Sequence, residues 1–167
     1  VMTFDGDVTK IGAKAFEKCK NLTSVTLPDG VTTLGERAFF ECSAMESIDI
    51  PEGVTTIGNN AFYNCDALTD IVIPEGVTQI SSGLCHDCNN LTSVVIPEGV
   101  ISIGERAFQA CNLSSVTLPD SLTTIGSYAF YNCKNMTSID FGEGVETINQ
   151  YALYNCAAIT SITLPKS

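Results

Sequence analysis

The sequence predicts a right-handed solenoid of 23-residue coils, α/β to mainly β in class, because three columns of residues recur with one phase. The first column is apolar and holds Leu22, Met45, Leu68, Leu91, Leu113, Met136 and Ile159, with one step of 22 residues before Leu113. The second is proline, at Pro28, Pro51, Pro74, Pro97, Pro119 and Pro165. The third is cysteine, at Cys19, Cys42, Cys65, Cys88, Cys111, Cys133 and Cys156. One coil cannot bury its own apolar residues, so coils must stack to form a continuous core.

Each stretch of the coil has a physical interpretation. Residues 22–27 are rich in β-forming residues and alternate apolar and polar at their end, which predicts a short strand. Pro28 cannot donate to a β-ladder and ends the strand, and the Asp-Gly pair at 29–30 supplies a turn. Residues 31–34 form a second extended piece, and residues 38–42 place Ala, Phe and Cys at helical spacing. We expect a parallel sheet on the concave face, with short extended pieces and helical or 3₁₀ turns on the convex side.

The chain length of 167 residues suits one domain with a substantial core. We expect a single solenoid over residues 1–167, with about seven coils that are partial at both ends. Val8 and Ile11 already follow the repeat phase, which predicts that the chain is part of a larger protein.

Charge and hydropathy exclude several classes of partner. The formal net charge is −11, and a negative surface repels phosphate backbones and anionic lipids. No apolar run approaches the length of a membrane span, and the first residues lack the basic, apolar and small-residue pattern expected of a signal peptide. We therefore expect no nucleic-acid partner and no direct membrane insertion.

The repeat pattern LxxVxLPxGVxxIGxxAFxxCxNL resembles the BspA-like leucine-rich repeats, and the resemblance covers essentially the whole chain. It implies a curved solenoid on large, modular, often secreted or cell-surface proteins of bacteria and some protozoa. Members of that family are associated with adhesion, protein binding and host interaction, and they share no catalytic residues. The local departures from the pattern are Ser81, Cys85, Ser121, Gly142, Asn149 and Leu153.

The cysteines have a structural interpretation and a chemical alternative. Seven of the eight lie in one column, where parallel Cβ directions do not suit disulfide geometry, so a stack of buried thiols is the simpler prediction. Cys85 and Cys88 form the chain's single CxxC motif, which could be a redox pair or half a metal site. A repacked core is the simpler interpretation, because Cys85 occupies the phenylalanine slot of its coil. We predict no cofactor and no metal site.

Aromatic residues recur at positions that helical spacing turns away from the core. These candidate binding residues are Tyr128, Tyr131, Tyr151, Tyr154, Phe40 and Tyr63. Tyrosine is a preferred anchor of protein interfaces, but the rings could equally stack on one another to cover the coil junctions.

The other exposed columns favour structural roles. The strand positions carry mostly hydroxyls, which suit β-structure, with Val72 and Val95 as a small apolar spot. An acidic row follows the prolines, at Asp29, Glu52, Glu75, Glu98, Asp120 and Glu143. A solvated edge that resists sideways aggregation explains this row better than a calcium site, because single carboxylates on separate coils do not supply enough oxygens.

The sequence predicts that the chain is not an enzyme but a protein-binding or adhesion module of a larger cell-surface or secreted protein. The expected partner is a protein, such as a host or cell-surface protein. A structural spacer that carries other domains is the alternative, and a redox or metal-binding function at Cys85 and Cys88 is a weaker one. The short terminal segments add the expectation of end-to-end self-association. An extracellular or cell-surface location is what the resemblance implies.

Overall fold

The computed structural model describes residues 7–165, in which thirteen short strands fall into two series. The strands of the first series have three residues each: β2 (Ser24–Thr26), β4 (Ser47–Asp49), β6 (Asp70–Val72), β8 (Ser93–Val95), β10 (Ser115–Thr117) and β12 (Ser138–Asp140). The strands of the second series have two residues each: β1 (Lys10–Ile11), β3 (Thr33–Leu34), β5 (Thr56–Ile57), β7 (Gln79–Ile80), β9 (Ser102–Ile103), β11 (Thr124–Ile125) and β13 (Thr147–Ile148). The two series alternate along the chain, so each coil contributes one strand to each.

All strand pairs are parallel and join neighbouring coils in a register of one repeat. Val25 lies opposite Ile48, for example, and Ile125 lies opposite Ile103. The two-residue strands form the sheets β1-β3-β5 and β7-β9-β11-β13, while the three-residue strands pair as β2-β4, β6-β8 and β10-β12. This arrangement confirms the predicted solenoid of about 23 residues per coil.

The core is a set of parallel columns of apolar side chains. Phe39, Phe62, Phe108 and Phe130 are fully buried, and the ring of Phe39 stacks between those of Phe16 and Phe62 at centroid distances of 5.2 and 5.6 Å. The apolar column that lies two residues before each three-residue strand is buried from Met45 to Met136. No polar or charged residue in the described range is fully buried. The sheets and the turns therefore present their polar residues outward.

The prediction of helical or 3₁₀ turns on the convex side is wrong, because residues 7–165 contain no helix. The segment from Gly35 to Cys42 is a run of turns in which alternate amides donate within the coil and to the next coil. Ala38 N–H donates to Gly35 O, whereas Phe39 N–H donates to Ala61 O at 2.9 Å. Arg37 and Glu41 adopt positive φ, both near 56°, which breaks a helical path. Hydrogen bonding between coils thus replaces hydrogen bonding along a helix.

A close approach between coils explains the second glycine of the repeat. At Gly126, a Cβ atom would lie 2.7 Å from Gly104 C and from Ile103 O, so a side chain here would require the neighbouring backbone to shift. The Gly126 amide donates to Ile103 O at 2.8 Å, as Gly104 does to Ile80 O. Ser81 occupies this slot in its coil, and its hydroxyl, rather than its amide, donates to Ile57 O.

The coil that contains Ser81 is joined less continuously to the coil before it. Strands β5 and β7 do not pair, and neither do β4 and β6, so this is the one boundary in the described range at which both series of strands are interrupted. The two coils stay joined through the turns, where Phe62 N–H donates to Leu84 O at 2.9 Å. We call this boundary the central junction.

Candidate functional site

The turn segments present a second, outer row of aromatic side chains, which we call the turn face. Phe40 stacks on Tyr63 with ring centroids 4.6 Å apart and nearly parallel planes. Tyr63 meets the edge of His86 at 4.9 Å in the next coil. These three side chains are partly buried. The row exists because one column of the repeat carries an aromatic residue in successive coils.

Four tyrosines from two neighbouring coils form a second group, the tyrosine cluster: Tyr128, Tyr131, Tyr151 and Tyr154. Tyr131 stacks on Tyr154 with centroids 5.3 Å apart, and Tyr128 lies 5.1 Å from Tyr151. Within each coil the two rings lie 5.6 to 5.7 Å apart at steep angles. Tyr151 and Tyr154 are 45% and 55% exposed. The four rings therefore lie side by side on two neighbouring coils.

Two arginines lie over the first ring of each aromatic group. The Arg37 guanidinium lies 4.0 Å from the centroid of Phe40 and pairs with Glu17 at 2.6 Å. Arg106 lies 4.9 Å from the centroid of Tyr128 and pairs with Glu105. Each arginine thus gains cation–π attraction while a carboxylate neutralises its charge. Sequence reasoning did not assign this role to the arginines: Arg37 precedes Phe40 by three residues in its own coil, whereas Arg106 contacts Tyr128 of the next coil.

His86 and Tyr63 share the carboxylate of Asp87. The Tyr63 hydroxyl donates to Asp87 Oδ2 at 3.2 Å, and His86 Nε2 lies 3.6 Å from the same oxygen. Burial lowers the pKa of His86, Asp87 opposes that shift, and Arg106 reinforces it. Burial, with the nearby Asp87 charge, raises the pKa of Tyr63. His86 is therefore held in its neutral form, and the group ties two coils together.

The cysteine column lies inside the solenoid. Cys42, Cys65, Cys88, Cys111, Cys133 and Cys156 are buried, and each thiol donates to a backbone oxygen about one coil earlier. The Cys65 Sγ to Phe39 O distance, for example, is 3.2 Å. Cys19 departs from the predicted buried stack because it is exposed. All eight cysteines are free thiols.

The CxxC pair has the properties of core residues. Cys85 and Cys88 are both fully buried, and desolvation raises the pKa of the Cys85 thiol well above its ordinary value. A redox or nucleophilic cysteine needs an exposed thiol with a lowered pKa, which Cys85 does not provide. Across residues 7–165, no three His, Cys, Asp or Glu side chains come together as metal ligands would.

The three-residue strands form the strand face, whose outward side chains alternate with buried ones. Ser47 and Asp49, for example, are exposed on either side of Ile48. Val72 and Val95 lie opposite each other on β6 and β8 and are 54% and 51% exposed. This face is polar apart from that pair.

Stacked coils with parallel strands on two sides and an apolar column at each strand define a leucine-rich-repeat solenoid. The chain belongs to the family described as BspA type leucine rich repeat region, whose six-copy model matches residues 2–111 and 78–167. Comparison with curated proteins gives no match. No helix in the described part of the chain is long and apolar enough to cross a bilayer.

Bacterial proteins of known structure are similar to this chain. A leucine rich cell surface protein from Faecalibacterium prausnitzii is 38% identical with a TM-score of 0.75, over 79% of this chain and 36% of that protein. The leucine rich repeat protein of T. pallidum is 30% identical with a TM-score of 0.86, over 91% of this chain and 72% of that one. A leucine-rich repeat protein from Eubacterium ventriosum is 35% identical with a TM-score of 0.84, over 96% and 46%. This chain thus spans less than half of the length of two of these relatives.

Proposed function

We propose that this chain is a protein-binding module of an adhesive, cell-surface or secreted protein, and that it engages its partner through the turn face. The observation that carries the proposal is the tyrosine cluster, in which four rings from two coils lie side by side and two are about half exposed. Tyrosine supplies large contact area at low entropic cost together with a polar hydroxyl, which makes it a frequent interface anchor.

The rest of the turn face supports this role. Phe40 and Tyr63 continue the aromatic row toward the N-terminal coils, and Arg37 and Arg106 add a residue type that is enriched at interfaces. The aromatic contacts between coils hold the rings in place before a partner arrives, which lowers the ordering cost of binding.

A surface location is consistent with the similar Faecalibacterium protein, which is described as a leucine rich cell surface protein. An extended solenoid with aromatic side chains along its turn face suits adhesion, because many coils in one protein can repeat the same contact. A structural spacer needs no exposed aromatic surface. The grouping of the tyrosines therefore favours a binding role over a purely structural one.

The test compares adhesion of beads coated with the wild type or with the double variant Tyr151→Asn, Tyr154→Gln. Both new residues occur naturally in these columns, at Asn60 and Gln109, so the fold is expected to survive. We expect wild-type beads to adhere to epithelial cell layers under flow, at least several-fold better than the variant, because two anchors are lost. Trypsin treatment of the cells should abolish the difference, since the partner is a protein.

A strand-face variant, Thr26→Asn, is the matched control, and it should adhere like the wild type. Equal adhesion by the wild type and the tyrosine variant would remove the tyrosine cluster from the binding surface. Adhesion no greater than that of uncoated beads would favour the spacer.

A further inference from the structure

The strand face contains an open groove between β8 and β10. These strands are neighbours in space but do not pair, unlike β6 with β8 or β10 with β12. The groove has a volume of about 300 Å³. Val95 and Pro119 contribute apolar surface, Ser115 and Thr117 contribute hydroxyls, and Glu98 is its one carboxylate. The groove is thus long, partly apolar and acidic at one point.

An exposed apolar pair borders the groove. Val72 and Val95 occupy a column in which the other described strands carry Thr26, Asp49, Thr117 and Asp140. Both valines are more than half exposed, and their direct pairing across β6 and β8 makes one continuous patch. Apolar surface at this site therefore departs from the polar pattern of the column.

The charge around the groove is negative. The first forty residues hold five Lys or Arg and five Asp or Glu, so the net charge of −11 lies in residues 41–167. From 41 to 165 the basic side chains are Arg106 and Lys134, and neither lies on the strands of this face. Two exposed strand-face carboxylates flank the groove, because Asp70 on β6 lies opposite Ser93 and Asp140 on β12 lies opposite Thr117. A partner that approaches this face is attracted if it is cationic.

We propose that this groove receives a lysine or arginine side chain from an extended segment of a protein partner. The aliphatic stem of that side chain packs along Val95 and Pro119, and its cation reaches Glu98. The hydroxyl oxygens of Ser115 and Thr117 accept its remaining hydrogen bonds. An aliphatic residue beside the cationic one covers the Val72–Val95 patch. This surface is separate from the tyrosine cluster, so the inference goes beyond the proposed function and does not depend on it.

The experiment titrates ¹⁵N-labelled protein with two peptides and follows amide chemical shifts. The probes are Ac-Gly-Ile-Lys-Ile-Gly-NH₂ and its analogue with norleucine in place of lysine, which keeps the apolar stem but removes the charge. We expect the lysine peptide to shift amides of residues 93–98 and 115–119 and to bind about threefold more tightly than the analogue, the size of one exposed ion pair. Glu98→Gln should remove this difference.

Glu52→Gln is the matched control, because Glu52 belongs to the same acidic row but lies outside the groove. It should leave the lysine peptide's affinity unchanged. The inference is overturned if Glu52→Gln weakens binding as much as Glu98→Gln, since the attraction would then be general. Equal binding of the two peptides, or shifts confined to the tyrosine cluster, would overturn it as well.

Discussion

Each buried cysteine of the cysteine column, from Cys42 to Cys156, does two things in its coil. Its small side chain fills the space behind the phenylalanine column, and its thiol donates to a backbone oxygen of the preceding coil, as Cys88 Sγ does to Phe62 O at 3.0 Å. Alanine could fill part of that space but could not donate. A weak sulfur donor at each coil therefore adds a side-chain link between coils without burying a strong polar group that would need further partners.

The buried thiols should be unreactive in the native protein. Ellman's reagent at pH 8 is expected to titrate about one thiol quickly, Cys19, and all eight after unfolding in denaturant. The other thiols should react slowly because they are buried. Burial also raises the pKa of Cys42, for example, to about 11, so very little of its reactive thiolate is present at pH 8. A Cys19→Ser variant is the control and should leave no fast thiol. Rapid labelling that maps to Cys85 and Cys88 would contradict the structure and restore a redox function.

The columns of the repeat were predictable at the level of elements, but the path of the turns was not. Strands, proline stops and the buried phenylalanines follow from spacing alone, because period and residue type leave few alternatives. Ala38, Phe39 and Cys42 have the spacing of a helix, yet alternate amides here bond to the next coil. Hydrogen bonds between residues one coil apart cannot be predicted from the spacing of residues within a short segment, so the path of the turns was missed.

The candidate site was likewise predictable only in part. The outward direction and closeness of the four tyrosines followed from their columns, whereas the part played by Asp87 did not. Asp87 adopts φ of 60°, which directs its carboxylate toward Tyr63 of the preceding coil and His86 beside it. A positive φ at an aspartate depends on the turn around it, so the sequence gives little sign of this contact.

The His86 group makes the stability of the turn face depend on pH. Because burial lowers the pKa of His86 below its ordinary 6.5, the unfolded chain takes up a proton at a higher pH than the folded protein. The contribution of neutral His86 to the free energy of unfolding is therefore fully present above pH 6.5 and is lost as the pH falls below that value. We expect urea unfolding to show a smaller loss of stability from pH 7.5 to 5.5 in His86→Gln than in the wild type.

Glutamine already occupies this column at Gln109, so the substitution suits the fold. His86→Gln also removes an aromatic contact with Tyr63. The loss of that contact does not depend on pH, so it lowers the free energy of unfolding of the variant by the same amount at both pH values. Parallel stability curves for the two proteins would show that folding does not shift the pKa of His86.

At the scale of the whole molecule, stability is set by contacts between neighbouring coils, and these contacts are not uniform. Most coils are joined by at least one sheet and by the turns, but the central junction lacks pairing in both series of strands. The apolar columns continue through it, with Ile57, Phe62 and Ile80 all buried. In a stacked solenoid the weakest interface limits cooperativity, so the coils on either side of this junction can open separately.

Hydrogen exchange tests this directly. The amides of Thr78 and Ser81 are expected to exchange at least about tenfold faster than those of Ile101 and Gly104, which donate to Thr78 O and Ile80 O in the preceding coil. Ser81→Gly should slow exchange at positions 78 and 81, because it removes the hydroxyl that occupies Ile57 O and lets the backbone amide donate there instead, as the Gly104 amide does to Ile80 O. Asn149→Gly is the matched control, since Asn149 fills the same slot where β11 and β13 already pair, and it should leave exchange at the central junction unchanged. If Thr78 and Ser81 are as well protected as Ile101 and Gly104, the interruption of the sheets has no energetic consequence and the solenoid opens as one unit.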